Sequence, residues 1–347
     1  MTTAPATTPQ AAMRLRELVF GAACAAAVRA AARLGVADAL GETPATVTGL
    51  AAELGTEPRQ LRRLLRALTC YGLFEELDGD RFAHTEMSRL LREDAPNSLR
   101  YISLWCTEPW TWEAWPKLDE AVRSGRNVFP ELFGKEFFDY LHTDGGESAK
   151  VFDRAMTTSS RQSAADFAAY LDLTGSGPAV ESVVDIGGGQ GHVLASLLEK
   201  HPALHGTLLD LPKVVAGADA RLRPGGTFAD RARLVPGDCR VDIPVLADLY
   251  IIKNILEWDD ESTRRTLANV VAVARPGARV VVVENLVDDS PSMRFTTAMD
   301  LMLMLNVGGA KHSEASMVRL MTEAGLDVHE VCPVNPYLHA FEAVVRG

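Results

Sequence analysis

The pattern of hydrophobic and polar positions changes near residue 181. Before this point, apolar residues recur with helical spacing, most clearly over residues 14–40, which are rich in Ala, Leu and Val. After it, short apolar runs alternate with glycine turns and helical stretches. The first pattern predicts a mainly helical domain, and the second predicts an α/β domain with parallel strands.

The N-terminal region has the order of elements of a winged helix. The pattern predicts one or two long helices over residues 14–40 and a short helix at Val47–Leu54. It then predicts a helix opened by a capping signature at Thr56, Glu57 and Pro58, and a hairpin of residues 73–77 and 81–85. The long apolar helices in front of this module favour dimerisation through the N-terminal domain.

The second helix of the module carries four arginines, which leaves two interpretations open. In a DNA-binding regulator, Arg59, Arg62, Arg63 and Arg66 would contact phosphates, and binding would depend steeply on salt. Residues 1–100 contain 12 basic and 12 acidic side chains, however, whereas DNA-binding domains usually carry a basic excess. We therefore favour a solvated arginine face over a nucleic-acid interface.

The C-terminal half repeats the order strand, turn, helix. Strands are predicted at Ser182–Ile186, 207–210, 232–235, Leu249–Lys253 and Arg279–Glu284, with helices at 193–200 and 262–274. The predicted fold is α/β, a doubly wound parallel sheet of Rossmann type. The predicted domains are residues 1–100 for the winged helix, 101–175 for a helical linker or collar, and 176–347 for the α/β domain.

Composition narrows the classes of protein. The length of 347 residues predicts two domains. The net charge of −11 argues against a protein that binds mainly nucleic acid or an anionic membrane. Five scattered cysteines without metal-ligand spacing argue against disulfides and structural zinc, and no metal is expected. No apolar run reaches the length of a membrane span, and the N-terminus lacks a basic leader, so we expect a cytoplasmic protein.

The predicted collar contains four of the five tryptophans, within eleven positions. They are Trp105, Trp110, Trp112 and Trp115. Packing between domains accounts for such rings, but an aromatic segment between two domains also suits a pocket for a flat organic ligand. We predict that Trp105, Trp112 and Trp115 contribute to binding a substrate.

Three acidic residues and a glycine turn point to an adenosine ligand. The turn at residues 187–191 lets backbone N–H groups approach a ligand closely, and Asp185 lies in the strand before it. Asp210 ends the next strand, where a carboxylate can accept hydrogen bonds from both ribose hydroxyls. Asp238 follows the third strand, where it can bind the exocyclic amine of adenine.

With these features, the sequence resembles the S-adenosylmethionine-dependent O-methyltransferases of small molecules, of the plant phenolic type and its bacterial antibiotic-tailoring branch. The motifs are residues 184–191, 209–212, 237–238, 252–261, 283–284 and 308–311. The resemblance implies a homodimer, a small-molecule acceptor bound partly by Met302 and Asn306, and S-adenosylmethionine as cofactor. The implied cofactor-binding residues are Gly187, Gly189, Asp210, Leu211, Asp238, Cys239 and Lys253.

The sequence departs from the family at the implied catalytic positions. Glu257 stands where the family has its general-base histidine. Lys311 stands where the family has an acid that orients this histidine, and His312 replaces the arginine that follows. The other orienting acid is kept as Glu284. The implied catalytic residues are thus Glu257, Glu284, Lys311 and His312.

This replacement leaves three functions open. Carboxylates have pKa values near 4.3 and phenols near 10, so Glu257 is a weak base, and a neighbouring Lys311 would keep it ionised. O-methylation is still expected if proximity and an acidic acceptor hydroxyl suffice. Alternatively, Glu257 and His312 hold a metal or a carbonyl substrate for C-methylation beside a keto group. As a third possible function, the enzyme binds S-adenosylmethionine but catalyses decarboxylation, hydroxylation or cyclisation.

Overall fold

The computed structural model of the protein describes residues 8–173, 179–288, 290–291 and 293–347. The chain divides into two units, Met1–Trp112 with Gly146–Thr158, and Glu113–Gly145 with Ser159–Gly347. The predicted domain boundary at residue 175 and the first seven residues lie outside the described part of the chain. Residues 113–145 of the predicted collar group with the second unit, and residues 101–112 with the first.

The first unit is mainly helical and contains one small sheet of order β1-β3-β2, in which both pairings are antiparallel. Its elements in chain order are α1 (Thr8–Val19), α2 (Gly21–Leu34), α3 (Val36–Ala39), β1 (Ala45–Thr46), α4 (Val47–Leu54), α5 (Pro58–Thr69), β2 (Phe74–Leu77), β3 (Arg81–His84), α6 (Glu86–Arg89), α7 (Arg100–Trp105) and the start of α8 (Pro109–Ala114). This order is the predicted winged helix.

Local signals in the sequence set the ends of the two module helices. Thr46 caps α4 by accepting the Gly49 N–H, and Gly55 ends α4 at a φ of 62°. Pro58 begins α5 at the first helical position, but Glu57 makes no side-chain cap bond. The predicted capping signature at Thr56 and Glu57 is therefore wrong, because proline's fixed φ alone marks this start.

Acidic side chains of the hairpin neutralise part of the arginine face of α5. Arg62 pairs with Asp80 at 2.6 Å, and Arg66 pairs with Glu76 at 2.7 Å. The opposite face of α5 buries Leu61, Leu65 and Leu68 in the core of the module. The hairpin thus occupies two of the four guanidinium groups that would contact a phosphate backbone.

The second unit is built on a seven-stranded sheet of order β6-β5-β4-β7-β8-β10-β9. Two helices, α8 and α12 (Gly146–Tyr170), contribute residues to both units. The other elements are α9 (Leu118–Ser124), α10 (Phe129–Phe133), α11 (Phe137–Thr143), β4 (Ser182–Ile186), α13 (His192–Lys200), β5 (His205–Asp210), α14 (Pro212–Ala216), β6 (Ala232–Pro236), β7 (Leu249–Lys253), α15 (Asp260–Val273), β8 (Arg279–Glu284), α16 (Met293–Val307), α17 (Glu314–Glu323), β9 (Leu326–Asn335) and β10 (Leu338–Val345).

The sheet is mixed, because two C-terminal strands that were not predicted join the five predicted parallel ones. Strands β6, β5, β4, β7 and β8 are parallel, whereas β10 runs antiparallel to both β8 and β9. Side chains alternate between two buried faces, as Val183 and Val184 do in separate apolar clusters. Because the parallel strands end at one edge, the segments after β4, β5, β7 and β8 meet there.

Candidate functional site

The turn after β4 is shaped by three glycines. Gly187, Gly189 and Gly191 have φ values of 63°, 63° and 79°, a region that side chains other than glycine rarely adopt. The Gly187 N–H donates to the Leu209 carbonyl at 2.7 Å, which ties the turn to β5. At Gly189 no described atom lies within 4 Å of the position of its absent Cβ. Gly189 therefore presents open backbone on which a ligand can lie.

Asp210, at the end of β5, is fixed by backbone donors on both sides of its carboxylate. Its Oδ2 accepts the Gly189 N–H at 2.8 Å, and its Oδ1 accepts the Leu211 N–H at 2.6 Å. Burial raises the pKa of this carboxyl, and the two N–H donors oppose the rise. Each oxygen keeps a further lone pair. These residues thus fit the ribose hydroxyls of an adenosine ligand.

Asp238, predicted to bind adenine, is held by an arginine that the sequence analysis missed. Arg240 Nη2 donates to Asp238 Oδ2 at 2.8 Å, and the Arg240 backbone N–H donates to Oδ1 at 2.9 Å. The Arg240 side chain lowers the pKa of Asp238, and its guanidinium carbon lies 5.3 Å from the centre of the Trp258 ring. The spacing of two residues between Asp238 and Arg240 is the sequence signal that could have predicted this pair. The adjacent Cys239 is buried, and burial raises the pKa of its thiol to about 11.

A buried acid and a buried lysine lie beside the glycine turn. Asp185 is 1% exposed, and its Oδ2 has no hydrogen-bond partner among the described residues. Burial raises the pKa of Asp185 to about 7, although the charge of Lys253 opposes the rise. Burial lowers the pKa of Lys253, against the charges of Asp185, Glu284 and Glu257. The predicted cofactor-binding residues are therefore linked electrostatically to the predicted catalytic residues.

Glu257 and Lys311 form a direct ion pair between the segment after β7 and the segment after α16. Their side chains are 17% and 7% exposed. The Lys311 backbone N–H donates to Asp300 Oδ1 at 2.7 Å. Gly309 lies so close to the Glu257 carbonyl that a Cβ there would stand 1.8 Å from its oxygen. The backbone thus holds both charged residues in place.

The residue before Glu257 is fixed by the other two predicted catalytic side chains. Glu284 accepts the Leu256 N–H at 3.1 Å, and His312 Nε2 lies 2.7 Å from the Leu256 carbonyl oxygen. Since a carbonyl only accepts, Nε2 carries the proton of this imidazole bond. Burial, followed by the charge of Glu257, raises the pKa of Glu284 to about 8. Glu284 and His312 therefore position the segment that carries Glu257.

The predicted substrate-binding residues are divided between the two units. In the second, Met302 and Asn306 are buried in α16, and Asn306 Oδ1 has no partner among the described residues. Trp115 packs against the apolar cluster that contains Leu305. In the first, Trp105 meets the Phe152 ring edge-on, and Trp112 Nε1 donates to the Thr107 carbonyl. Contact of these five residues with an acceptor stays a prediction.

Within the ranges that the structure describes, no cluster of three or more His, Cys, Asp or Glu side chains is arranged to hold a metal ion. No described helix combines the length and the apolar character required to cross a membrane.

Comparison with known proteins assigns both parts of the chain. Residues 115–327 match the O-methyltransferase domain family, and residues 16–94 match the O-methyltransferase dimerisation domain. Over 321 residues, the chain is 37% identical to mitomycin biosynthesis 6-O-methyltransferase of Streptomyces lavendulae, covering 92% of this chain and 90% of that one.

Two other relatives bear on the cofactor and on the reaction. The solved structure of CalO1, a methyltransferase in calicheamicin biosynthesis in its SAH-bound form, is 33% identical with a TM-score of 0.84, and the match covers 98% of this chain and all of that one. Aclacinomycin 10-hydroxylase RdmB of Streptomyces purpurascens is 31% identical over 306 residues, covering 86% of this chain and 80% of that one. The relatives thus include a protein named for a reaction other than methyl transfer.

Proposed function

The chain belongs to the S-adenosylmethionine-dependent O-methyltransferase family, and we propose that it methylates a hydroxyl oxygen of a small aromatic or polyketide-like natural product. One observation carries this proposal. The Asp210 carboxylate is fixed by the Gly189 and Leu211 N–H groups beside an open glycine turn, and the Glu257–Lys311 ion pair stands at the same edge of the sheet. This arrangement supports an adenosine site and a proton-transfer site at one edge of the sheet.

The described residues fit S-adenosylmethionine, which supplies an electrophilic methyl group on sulfur when bound. The adenosine would contact the backbone of Gly187, Gly189 and Leu211. Asp210 would accept hydrogen bonds from the ribose hydroxyls. Asp238 and Cys239 would border the adenine. Lys253 would contribute to the cofactor site, and the charge of Asp185 raises its pKa against the effect of burial. These roles follow the resemblance and the open turn at Gly189.

In this proposal Glu257 occupies the position of the family's base and Lys311 assists it. Glu257 accepts the proton of the acceptor hydroxyl, and the Lys311 ammonium stabilises the negative charge that develops on the acceptor oxygen. Glu284 and His312 act through Leu256 by holding Glu257 in position. They are positioning residues in this scheme.

Titration calorimetry and turnover assays test this function together. We expect S-adenosylmethionine to bind the purified protein, and we expect S-adenosylhomocysteine and a methylated product to form with members of a panel of hydroxylated aromatics. Glu257→Gln should lower kcat about 100-fold if this residue takes the proton. Failure to bind S-adenosylmethionine would contradict the proposal.

A non-methylating reaction is the second candidate, and the similarity to aclacinomycin 10-hydroxylase favours it. In that case the protein would bind S-adenosylmethionine but convert an acceptor without forming S-adenosylhomocysteine. Mass spectrometry of the product distinguishes these outcomes, because methylation adds one CH₂ unit. Transfer to carbon beside a keto group would give the same mass as O-methylation, and NMR of the product separates the two.

We also propose that the protein forms a homodimer through its N-terminal unit. The dimerisation-domain match begins at residue 16, and α1 exposes Leu15, Leu18 and Val19. Exposed apolar residues grouped on one helix are typical of an interface. The ion pairs of Arg62 and Arg66 within the winged helix favour this role over DNA binding, and absence of a gel shift at low salt would remove the latter.

A further inference from the structure

Resting on the proposed function, we infer that the natural acceptor is methylated on a hydroxyl that is acidic through conjugation to a carbonyl group, as in hydroxyquinones. Neither the fold nor the cofactor site specifies this class of acceptor, whereas the chemistry of the Glu257–Lys311 pair does.

The pair presents a weak base together with a strong oxyanion partner. The two side chains are in direct contact and largely buried, and the charge of Glu257 also raises the pKa values of the nearby Lys253 and Glu284. The anchoring of Lys311 to Asp300 and the contact between Gly309 and the Glu257 backbone keep the ammonium at this place. An acceptor oxygen that reaches Glu257 is therefore also within reach of a positive charge.

The imidazole next to this pair is not placed to replace the missing histidine base. His312 is 5% exposed, its Nε2–H is donated to the Leu256 carbonyl, and its Nδ1 lies 3.5 Å from Ser316 Oγ. Taking a proton from an acceptor would require His312 to give up this backbone contact. Proton removal consequently depends on the Glu257 carboxylate and on the acidity of the acceptor.

The difference in acidity decides which acceptors react well. Carboxylates as a class are weaker bases than imidazole by about two pKa units, and each unit of mismatch is worth up to a factor of ten in proton transfer. A simple phenol, near 10, would be ionised by a carboxylate only rarely. In a 2-hydroxyquinone the hydroxyl is conjugated to a carbonyl as it is in a carboxylic acid, so it is largely ionised at neutral pH, and its oxyanion forms a charge-assisted contact with an ammonium.

The reaction then balances without another reagent. The hydroxyl proton leaves to solvent or to Glu257, and a lone pair of the acceptor oxygen forms the new O–CH₃ bond. The bond between the methyl carbon and sulfur breaks, and its electron pair stays on sulfur to give the neutral thioether of S-adenosylhomocysteine.

Two acceptors of similar shape test the inference, namely 2-hydroxy-1,4-naphthoquinone and 2-naphthol. With the full-length protein and S-adenosylmethionine, we expect kcat/KM for the quinone to exceed that for the naphthol about 100-fold or more. Lys311→Met should lower kcat/KM for the quinone at least tenfold, whereas Lys311→Arg should retain most of it. When the pH is lowered, the visible absorbance of the bound quinone should show that the anion persists to a lower pH in the wild-type protein than in Lys311→Met.

Controls separate this inference from the proposed function. Lys117→Met removes another ion-paired lysine, bonded to Glu120 at 2.8 Å, and should leave both rates unchanged. A thermal melt shows whether Lys311→Met folds. If it does not, the inference is tested by the ratio of kcat/KM for the two acceptors in the wild type and by kcat/KM of Lys311→Arg. Equal rates for both acceptors, or turnover only of ordinary phenols in a wider panel, overturn the inference and leave the proposed function intact. Absence of methylation with every acceptor overturns the proposed function, and the inference falls with it.

Discussion

His312 donates its Nε2–H to the Leu256 carbonyl oxygen over 2.7 Å, and so joins the loop after α16 to the segment that carries Glu257. The same carbonyl accepts the Thr263 hydroxyl at 3.2 Å, and the Leu256 N–H is bonded to Glu284. Three side chains from α15, β8 and the loop before α17 therefore hold one peptide segment. A residue that follows the proposed base by 55 positions thus sets the backbone beside it.

We predict that His312→Ala lowers both stability and turnover. The substitution leaves the buried Leu256 carbonyl with one donor fewer and opens a cavity, which should cost about 1–3 kcal/mol in the free energy of unfolding. Displacement of Glu257 should lower kcat while the Kd of S-adenosylmethionine changes little. Urea unfolding, calorimetry and steady-state kinetics measure the three effects. His329→Ala, at an exposed position of β9, is the control and should change none of them.

Glu284→Gln should change how stability depends on pH. Burial raises the pKa of Glu284 from its ordinary value of 4.5 to about 8, so between these values the folded protein holds a proton that the unfolded chain has lost. The wild-type stability from this group is complete below about pH 4.5 and is lost progressively as the pH rises to about 8. Glutamine has nearly the same shape, can accept the Leu256 N–H, and does not ionise.

The stability of Glu284→Gln relative to the wild type should therefore increase with pH. We expect the unfolding free energy of Glu284→Gln minus that of the wild type to rise by a few kcal/mol between roughly pH 5 and 8. Urea titrations at several pH values give this difference directly. Glu181→Gln, at an exposed position, should show no such slope. A difference independent of pH would mean that Glu284 is ionised in the folded protein throughout this range.

The bounds of a strand could be predicted from the sequence where a short apolar run lies between turn residues. The bounds of β4, β7 and β8 are the predicted ones, because each is a short apolar run at the centre of a sheet. Strands β9 and β10 were missed because polar residues interrupt them, although His339 and Glu342 of β10 are buried.

Only those parts of the site that lie within local sequence motifs could be predicted from the sequence. Asp210 and the glycine turn follow from local spacing, since their hydrogen bonds join consecutive strands. The hydrogen bond between His312 and Leu256 depends on how two distant segments pack, and periodicity carries no information about such packing. The hold of Arg240 on Asp238 is local but belongs to no repeating pattern. The charge reversal at Glu257 and Lys311 was visible in the sequence, whereas their direct contact needed the structure.

Asp210→Asn should weaken the binding of S-adenosylmethionine at least tenfold. An amide group cannot accept both the Gly189 and Leu211 N–H bonds, so one N–H would face an NH₂ group, and the acceptor for one ribose hydroxyl would be lost. Loss of a charged hydrogen-bond acceptor is worth about 1.5–3 kcal/mol. Calorimetry measures the Kd, with Asp242→Asn as an exposed control that should bind normally. Equal affinities of the Asp210 variant and the wild type would place the ribose elsewhere.

Leu18→Asp should convert the dimer into monomers. Leu18 is 61% exposed on α1 and has the exposed Leu15 and Val19 as neighbours, so a dimer formed through this helix would bury it. An unpaired carboxylate in such an interface costs several kcal/mol, which is enough to shift a micromolar sample towards monomer. Sedimentation equilibrium should give about half the wild-type mass, with a far-UV circular dichroism spectrum that shows intact helices. Val122→Asp places the same charge on an exposed apolar position of α9 and should remain dimeric, since α9 lies outside the dimerisation-domain match. A Leu18→Asp protein that sediments as a dimer would exclude α1 as the main interface.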